Sequence, residues 1–131
     1  MKTIKIKTNQ SRQVLNITSK VESELPQEDG LVHLFITHTT AALTTADLDP
    51  GTDQDYLKVF DKLIPQLDFN HPHDPDHFPD HFLASLIGPD LTVPVKDGQL
   101  QLGSWQEVVL LEFSGPRERS IVVEFIPKTE S

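Results

Sequence analysis

Apolar residues in this chain recur in short runs broken by turn-forming residues, and that spacing limits it to a fold in which several strands and short helices share one core. Residues 3–8 alternate, with Ile4 and Ile6 on one face and Lys5 and Lys7 on the other, which predicts a half-buried strand. Residues 14–17 make a second short strand, and Thr18 is placed to cap a helix reaching about Leu25 before Pro26 and Gly30 end it. The run 31–37 (LVHLFIT) suits a buried strand and delivers the chain directly to His38, Thr39 and Thr40. Thr52 with Asp55 reads as a capped helix start, and Tyr56, Leu57, Phe60, Leu63 and Ile64 follow at helical spacing as far as Pro65. Pro79 suits the first turn of a further helix to Ile87, with Gly88 at its end; His81, Ala84 and Ser85 share one face, and Phe82, Leu83, Leu86 and Ile87 the other. Asp97-Gly98, between residues 91–95 and 99–102, is a two-residue hairpin signal. Residues 105–113 and 120–126 are expected to form a second hairpin-like pair around Ser114-Gly115-Pro116, so the C-terminal third reads as antiparallel sheet.

At 131 residues, with no internal repeat and no inter-domain linker, a single domain covering 1–131 is expected. Eleven basic residues against 20 acidic ones give a net charge of -9, which repels a phosphate backbone and argues against nucleic-acid binding. A small phosphorylated ligand is still compatible wherever a cation or an arginine pair reverses the potential inside one pocket. The absence of cysteine removes disulfides, thiolate metal sites and a cysteine nucleophile. The opening MKTIKIKTNQ lacks an apolar signal core, and no run approaches the roughly 20 residues that span a bilayer, so no membrane contact and a cytoplasmic location are expected.

The segment DFNHPHDPDHFPDH holds three prolines and four histidines, too broken for a regular helix and too polar for a buried strand. It reads as an ordered loop or lid. Imidazoles beside Asp74, Asp76 and Asp80 are ligands for zinc and related metals, and they move protons near neutral pH. His71 and His73, two apart in an extended stretch, are placed to face the same way. An acidic surface loop also tolerates histidine without using it, and that reading is favoured for His71 and His77. His38, at the end of a buried strand, and His81, on the small-residue face of its helix, stand apart, with a satisfied structural histidine as the competing reading.

Arg117 and Arg119, two of the three arginines, follow the Gly115-Pro116 turn; on an extended strand both side chains share a face and can clasp a phosphate. A surface pair offsetting Glu112 and Glu118 is equally consistent with the spacing. Trp105 can line a pocket, although a lone tryptophan is more often core.

Five fragments together resemble the YjbQ family over nearly the whole chain: HTTAAL from His38, Asp49-Pro50 with Asp55, His73-Asp74 followed by PxHxxASLxG ending at Gly88, GxLxLGSWQ from Gly98, and GPRxR from Gly115. The resemblance implies an α+β fold, a mostly antiparallel β-sandwich with two or three packed helices, assembled as a homotrimer. It also implies a weak secondary thiamine-phosphate synthase activity, joining a pyrimidine diphosphate to a thiazole phosphate with release of pyrophosphate. On that reading His38, His73, Asp74 and His81 carry the catalysis, and Arg117, Arg119, Thr39 and Thr40 hold phosphate. His38, His73 and His81 would then bind a divalent cation, zinc or magnesium. Near Asp47 and Asp49 many members carry a glutamate that this chain lacks. Two other readings stay open, a non-catalytic metal- or metabolite-binding trimer and a zinc-dependent hydrolase.

Overall fold

A computed structural model describes residues 1–129. Eight strands and three helices follow one another: β1 (Lys2–Lys7), β2 (Gln13–Asn16), α1 (Thr18–Glu22), β3 (Gly30–Ile36), β4 (Ala41–Asp47), α2 (Thr52–Leu63), α3 (Phe78–Ile87), β5 (Asp90–Lys96), β6 (Gln99–Leu100), β7 (Gln106–Glu112) and β8 (Glu118–Pro127). The strands make two antiparallel sheets, ordered β1-β8-β3-β5-β6 and β2-β7-β4, and the expected mostly antiparallel α+β architecture is present.

Side-chain alternation turns these sheets into three layers. Val108 and Leu110 of β7, with Ala41 and Leu43 of β4, point toward the larger sheet and meet Val32, Leu34, Ile36, Ile121 and Val123. Their neighbours Val109, Leu111 and Ala42 point the other way, onto Phe60 of α2 and Leu83 and Ala84 of α3. The smaller sheet is therefore covered on both faces, which is why β7 reads as a continuous apolar run rather than an alternating one. Each fully buried Val, Leu or Ile here contributes about 1.5–3 kcal/mol of transfer free energy.

The same alternation carries two charges into the core. Glu112 shares the parity of Val108 and Leu110, and Arg119 that of Ile121 and Val123, so both side chains enter the space between the sheets. Arg119 is 2% exposed and Glu112 0%. Arg119 Nε donates to Glu112 Oε1 at 2.9 Å and Oε2 at 3.1 Å, and Nη2 donates to Oε2 as well. The remaining carboxylate capacity is filled by Thr8 Oγ1 at 2.6 Å and the Ser114 amide at 3.1 Å.

Several local expectations are corrected. β7 and β8 do not form a hairpin: they belong to different sheets, and residues 114–117 carry the chain across the sandwich. Gly115 is needed at that crossing, because a Cβ there would lie 2.2 Å from the Gln10 carbonyl oxygen. The helix begun at Thr18 ends at Glu22, and the Thr18 hydroxyl is drawn away from capping, donating to Glu107 and accepting from the Val108 amide. α2 starts from Gly51 at φ 89°, with no side-chain cap from Thr52. α3 buries Leu83 and Ala84 together, although they were expected on opposite faces, while Phe82 and Leu86 remain exposed. Asp97 and Gly98, at φ 51° and 76°, turn β5 into β6 as expected of that dipeptide.

Burial pushes the Glu112 carboxyl up, while hydrogen bonds from Arg119, Thr8 and the Ser114 amide, together with the Arg119 charge, carry it below the usual range. Its stabilising effect is therefore present above the unfolded-chain value of about 4.3 and is lost as pH falls through the lower folded value. Glu112→Gln leaves the guanidinium buried without its counter-charge and is expected to cost about 3 kcal/mol in urea unfolding at neutral pH. The double replacement Glu112→Leu with Arg119→Met is expected to cost less than Glu112→Gln alone. A Glu112→Gln stability within experimental error of wild type would remove the pair from its central place.

Candidate functional site

The end of the sandwich where β8 begins opens into a cleft of about 650 Å³, lined by His38, Thr39 and Thr40 from the β3–β4 connection, His77 and His81 at the start of α3, and Arg117 to Arg119. Two layers meet there. β3 ends at Ile36 and β8 starts at Glu118, so the cleft sits on the rim of the larger sheet, with α3 closing it from the helical side.

Hydrogen bonds fix which nitrogen of each imidazole carries the proton. The Ser120 amide donates to His38 Nε2 at 2.8 Å, so Nε2 must be the acceptor and a neutral His38 keeps its proton on Nδ1. Desolvation is the main cause of a lowered His38 pKa, helped by the nearby positive charges of Arg119, Lys5 and Arg117 and opposed by Glu112. His38 is thus a neutral hydrogen-bond donor. His81 has the opposite polarity: its Nδ1 lies 3.2 Å from the Thr39 carbonyl oxygen, which can only accept, so in the neutral ring Nε2 is the free nitrogen. The two histidines form a donor and an acceptor in one cleft.

Arg119 spends Nε and Nη2 on Glu112 and on Thr40, whose Oγ1 lies at 2.9 Å and carbonyl oxygen at 3.2 Å. Every fully buried side-chain nitrogen or oxygen among the described residues has a partner, and Nη1 has none, so Nη1 is the edge of this guanidinium that reaches the cleft. Arg117 differs. It precedes the strand, escapes its alternation and stays exposed, anchored by Nε to the Ser114 carbonyl at 2.7 Å with both Nη atoms unengaged by any described residue.

The remaining sequence-predicted residues fall elsewhere. His73 is exposed at φ 70° and lies outside the cleft, which breaks the shared face expected for His71 and His73. Asp74 caps a single 3-10 turn (Pro75–His77), its Oδ1 accepting from the Asp76 amide at 3.1 Å, and its carbonyl takes the His71 ring at 3.1 Å. Asp47 and Asp49 do not line the cleft, and Trp105 is 75% exposed. By contrast, the two histidines assigned to the surface are both half-buried. The His71 and His77 rings lie 4.7 Å and 5.0 Å from that of His81. No sequence signal marked them, because the turn that gathers them sits in a segment without periodicity.

The divalent cation implied by the resemblance does not fit the expected ligands in one chain. His38 has its Nε2 lone pair occupied, His73 is outside the cleft, and no group of three or more His, Asp or Glu side chains among the described residues is arranged to hold a metal ion.

Fold and cleft together define an antiparallel β-sandwich protein with a polar, arginine-bearing cleft at one end of its buried ion pair. The chain belongs to the YjbQ/UPF0047 family, whose model, described as UPF0047 protein YjbQ-like, matches residues 2–128. A UPF0047 protein of Archaeoglobus fulgidus is 36% identical over 120 residues, covering 91% of this chain and 95% of the relative. The UPF0047 protein YugU of Bacillus subtilis is 33% identical over 131 residues, covering 96% and 98%. Among solved structures, the conserved hypothetical protein TT1486 from Thermus thermophilus superimposes with a TM-score of 0.88 at 35% identity, covering 96% of this chain and 100% of that one. These names carry a family and no reaction. No helix among the described residues is long and apolar enough to cross a membrane.

The lowered pKa of His38 has a signed consequence. Below the ordinary value of about 6.5 the unfolded chain takes up a proton that the folded chain refuses, so stability falls as pH drops from 6.5 through the lower folded value. NMR titration is expected to put the His38 midpoint below 6.5, and His38→Gln is expected to flatten that part of the stability profile. A midpoint at or above 6.5 would contradict the assigned environment.

Proposed function

We propose that this protein is a phosphate-handling enzyme, and that the cleft between His38, His81 and Arg117 binds its phosphorylated small-molecule substrate. The observation that carries this reading is electrostatic. On a protein of net charge -9, the cleft gathers the two Nη atoms of Arg117, the Nη1 edge of Arg119 and the neutral Nδ1–H donor of His38. Fixed donors of this kind hold an oxyanion without general attraction from the surface, at about 1.5–3 kcal/mol per charge-assisted hydrogen bond. Thr40 adds a hydroxyl whose oxygen accepts from Arg119 and whose own proton remains to be donated.

The reaction class best matched to the family resemblance is that of secondary thiamine-phosphate synthases, joining a pyrimidine diphosphate to a thiazole phosphate with release of pyrophosphate. In such a reaction Arg117 would hold the departing anion and His38 would donate to a phosphate oxygen, while the braced neighbours keep both in place. No step is assigned to a metal.

The roles of the two arginines separate experimentally. Arg117→Ala is expected to weaken inorganic phosphate binding at least tenfold in calorimetric titration with the fold intact by circular dichroism. Arg119→Ala is expected to destabilise the fold, since it strands Glu112 between the sheets. Phosphate affinity unchanged in Arg117→Ala would move the anion away from this cleft. Failure to form thiamine phosphate from its two precursors, with phosphate binding intact, would reject the reaction and retain the ligand class.

We also propose the homotrimer that the resemblance implies. Leu31, Phe35 and Ile126 stand 42%, 40% and 50% exposed on the outer face of the larger sheet, an apolar surface that assembly would cover. Light scattering at micromolar concentration is expected to give three times the chain mass of 14.7 kDa, and a monomer mass would overturn the assembly.

A further inference from the structure

We propose that His77, oriented by Asp80 and braced through Asp80 by Arg12, is the group that accepts a proton from the ligand bound in the cleft. The inference rests on the phosphate-handling reading for the ligand's anionic part, and on separate geometry for the proton. His77 Nδ1 lies 2.8 Å from Asp80 Oδ2. A carboxylate oxygen there accepts, so in the neutral ring the proton sits on Nδ1 and Nε2 is the free nitrogen, on a residue that lines the cleft.

Asp80 is itself held. Its other oxygen, Oδ1, takes Arg12 Nη2 at 3.1 Å, while Arg12 Nη1 donates to Asp61 of α2 at 2.8 Å. The brace ties the segment before β2, the helix α2 and the start of α3 to one another, and both the Asp80 and His77 side chains are largely enclosed at 16% and 25% exposure. The guanidinium holds one Asp80 oxygen and leaves the second on the imidazole. That is the arrangement in which a histidine becomes an effective proton acceptor, because the imidazolium it forms is met by a charge already in place.

The other imidazoles are less suited. His38 donates through Nδ1 and has its Nε2 engaged by the Ser120 amide. His81 and His71 hold their Nδ1 protons on the carbonyls of Thr39 and Asp74, neutral partners that stabilise an imidazolium less than a carboxylate does. The charged and titratable groups around His77 are Asp80 and His81 on α3, His71 on the preceding loop, and Arg117 with Glu118 across the cleft.

The ligand this map selects carries a phosphate or diphosphate for Arg117 and, next to it, an O–H or N–H for His77. The O–H or N–H bond breaks, its electrons stay on the ligand atom, and the proton forms a new bond to Nε2. The positive charge so formed on His77 is paired with Asp80.

The test is site-resolved carbethoxylation of the full chain by diethylpyrocarbonate, a reagent that attacks unprotonated imidazole nitrogen, with inorganic phosphate as the competing probe. His77 is expected to react several-fold faster than His38, to be protected by saturating phosphate, and to slow in Asp80→Asn. Nitrogen-15 spectra of the wild type are expected to show the Nδ1–H tautomer for His77, a readout that holds even if Asp80→Asn fails to fold. His77→Gln is expected to keep phosphate affinity within about threefold while losing the acidic limb of the pH–rate profile. An Nε2–H tautomer, a rate unaffected by phosphate that the wild type is shown to bind, or an unchanged rate in a folded Asp80→Asn would each overturn the proposal. Absence of phosphate binding to the wild type would instead reject the phosphate reading, and the tautomer and the Asp80 dependence would still decide the role of His77.

Discussion

The ion pair between Arg119 and Glu112 is the constraint on which the rest of the site depends. Taking both charges out of water costs several kcal/mol per ion, and the interior recovers this only when every lone pair and proton is matched. The structure meets that demand from four directions: Thr8 on the segment after β1, Thr40 between β3 and β4, the Ser114 amide and the guanidinium itself. The first three are places where a loop is pinned to the sandwich. The pair therefore fixes the β3–β4 connection and the start of β8 relative to each other, and those are the two segments that make the cleft.

That dependence also sets the chemistry of His38. The ring accepts from the Ser120 amide, next to Arg119 in the chain, so the same strand start that buries a positive charge also positions the imidazole. Burial and the surrounding cations hold His38 neutral. A cleft lined by arginines usually presents charge alone; here one of the donors is uncharged and directional, which favours a particular oxygen of a bound anion over the anion as a whole.

Much of the fold was legible because strand alternation and turn chemistry are local. Gly98, Pro79 and Gly88 act where their conformations say they should, and residues 31–37 run straight to the cleft. The missed crossover between β7 and β8 has a physical reason: a short connection rich in Gly and Pro looks the same whether it joins neighbours in one sheet or opposite sheets, and only the partners of each strand distinguish the two. Parity could have revealed the buried pair. Glu112 continues the inward set of Val108 and Leu110, and Arg119 that of Ile121 and Val123, so counting by twos along each strand brings both charges into the core. Arg117 resembles Arg119 in spacing, but it lies outside the strand and that count does not apply to it.

The histidine segment was illegible for a different reason. With prolines at 72, 75 and 79 it has no period from which a face can be read, and His73, not His71, matched the family motif. What gathers His71, His77 and His81 is the tight turn at Pro75–His77 feeding directly into α3, which places residues 77 and 81 one helical turn apart on the same face. Asp80 follows His77 by three positions and so reaches back to its ring, while Arg12 approaches from a distant part of the chain. Local helical geometry thus supplies the carboxylate and tertiary packing supplies its counter-charge, and neither alone would hold the imidazole with its unprotonated nitrogen available.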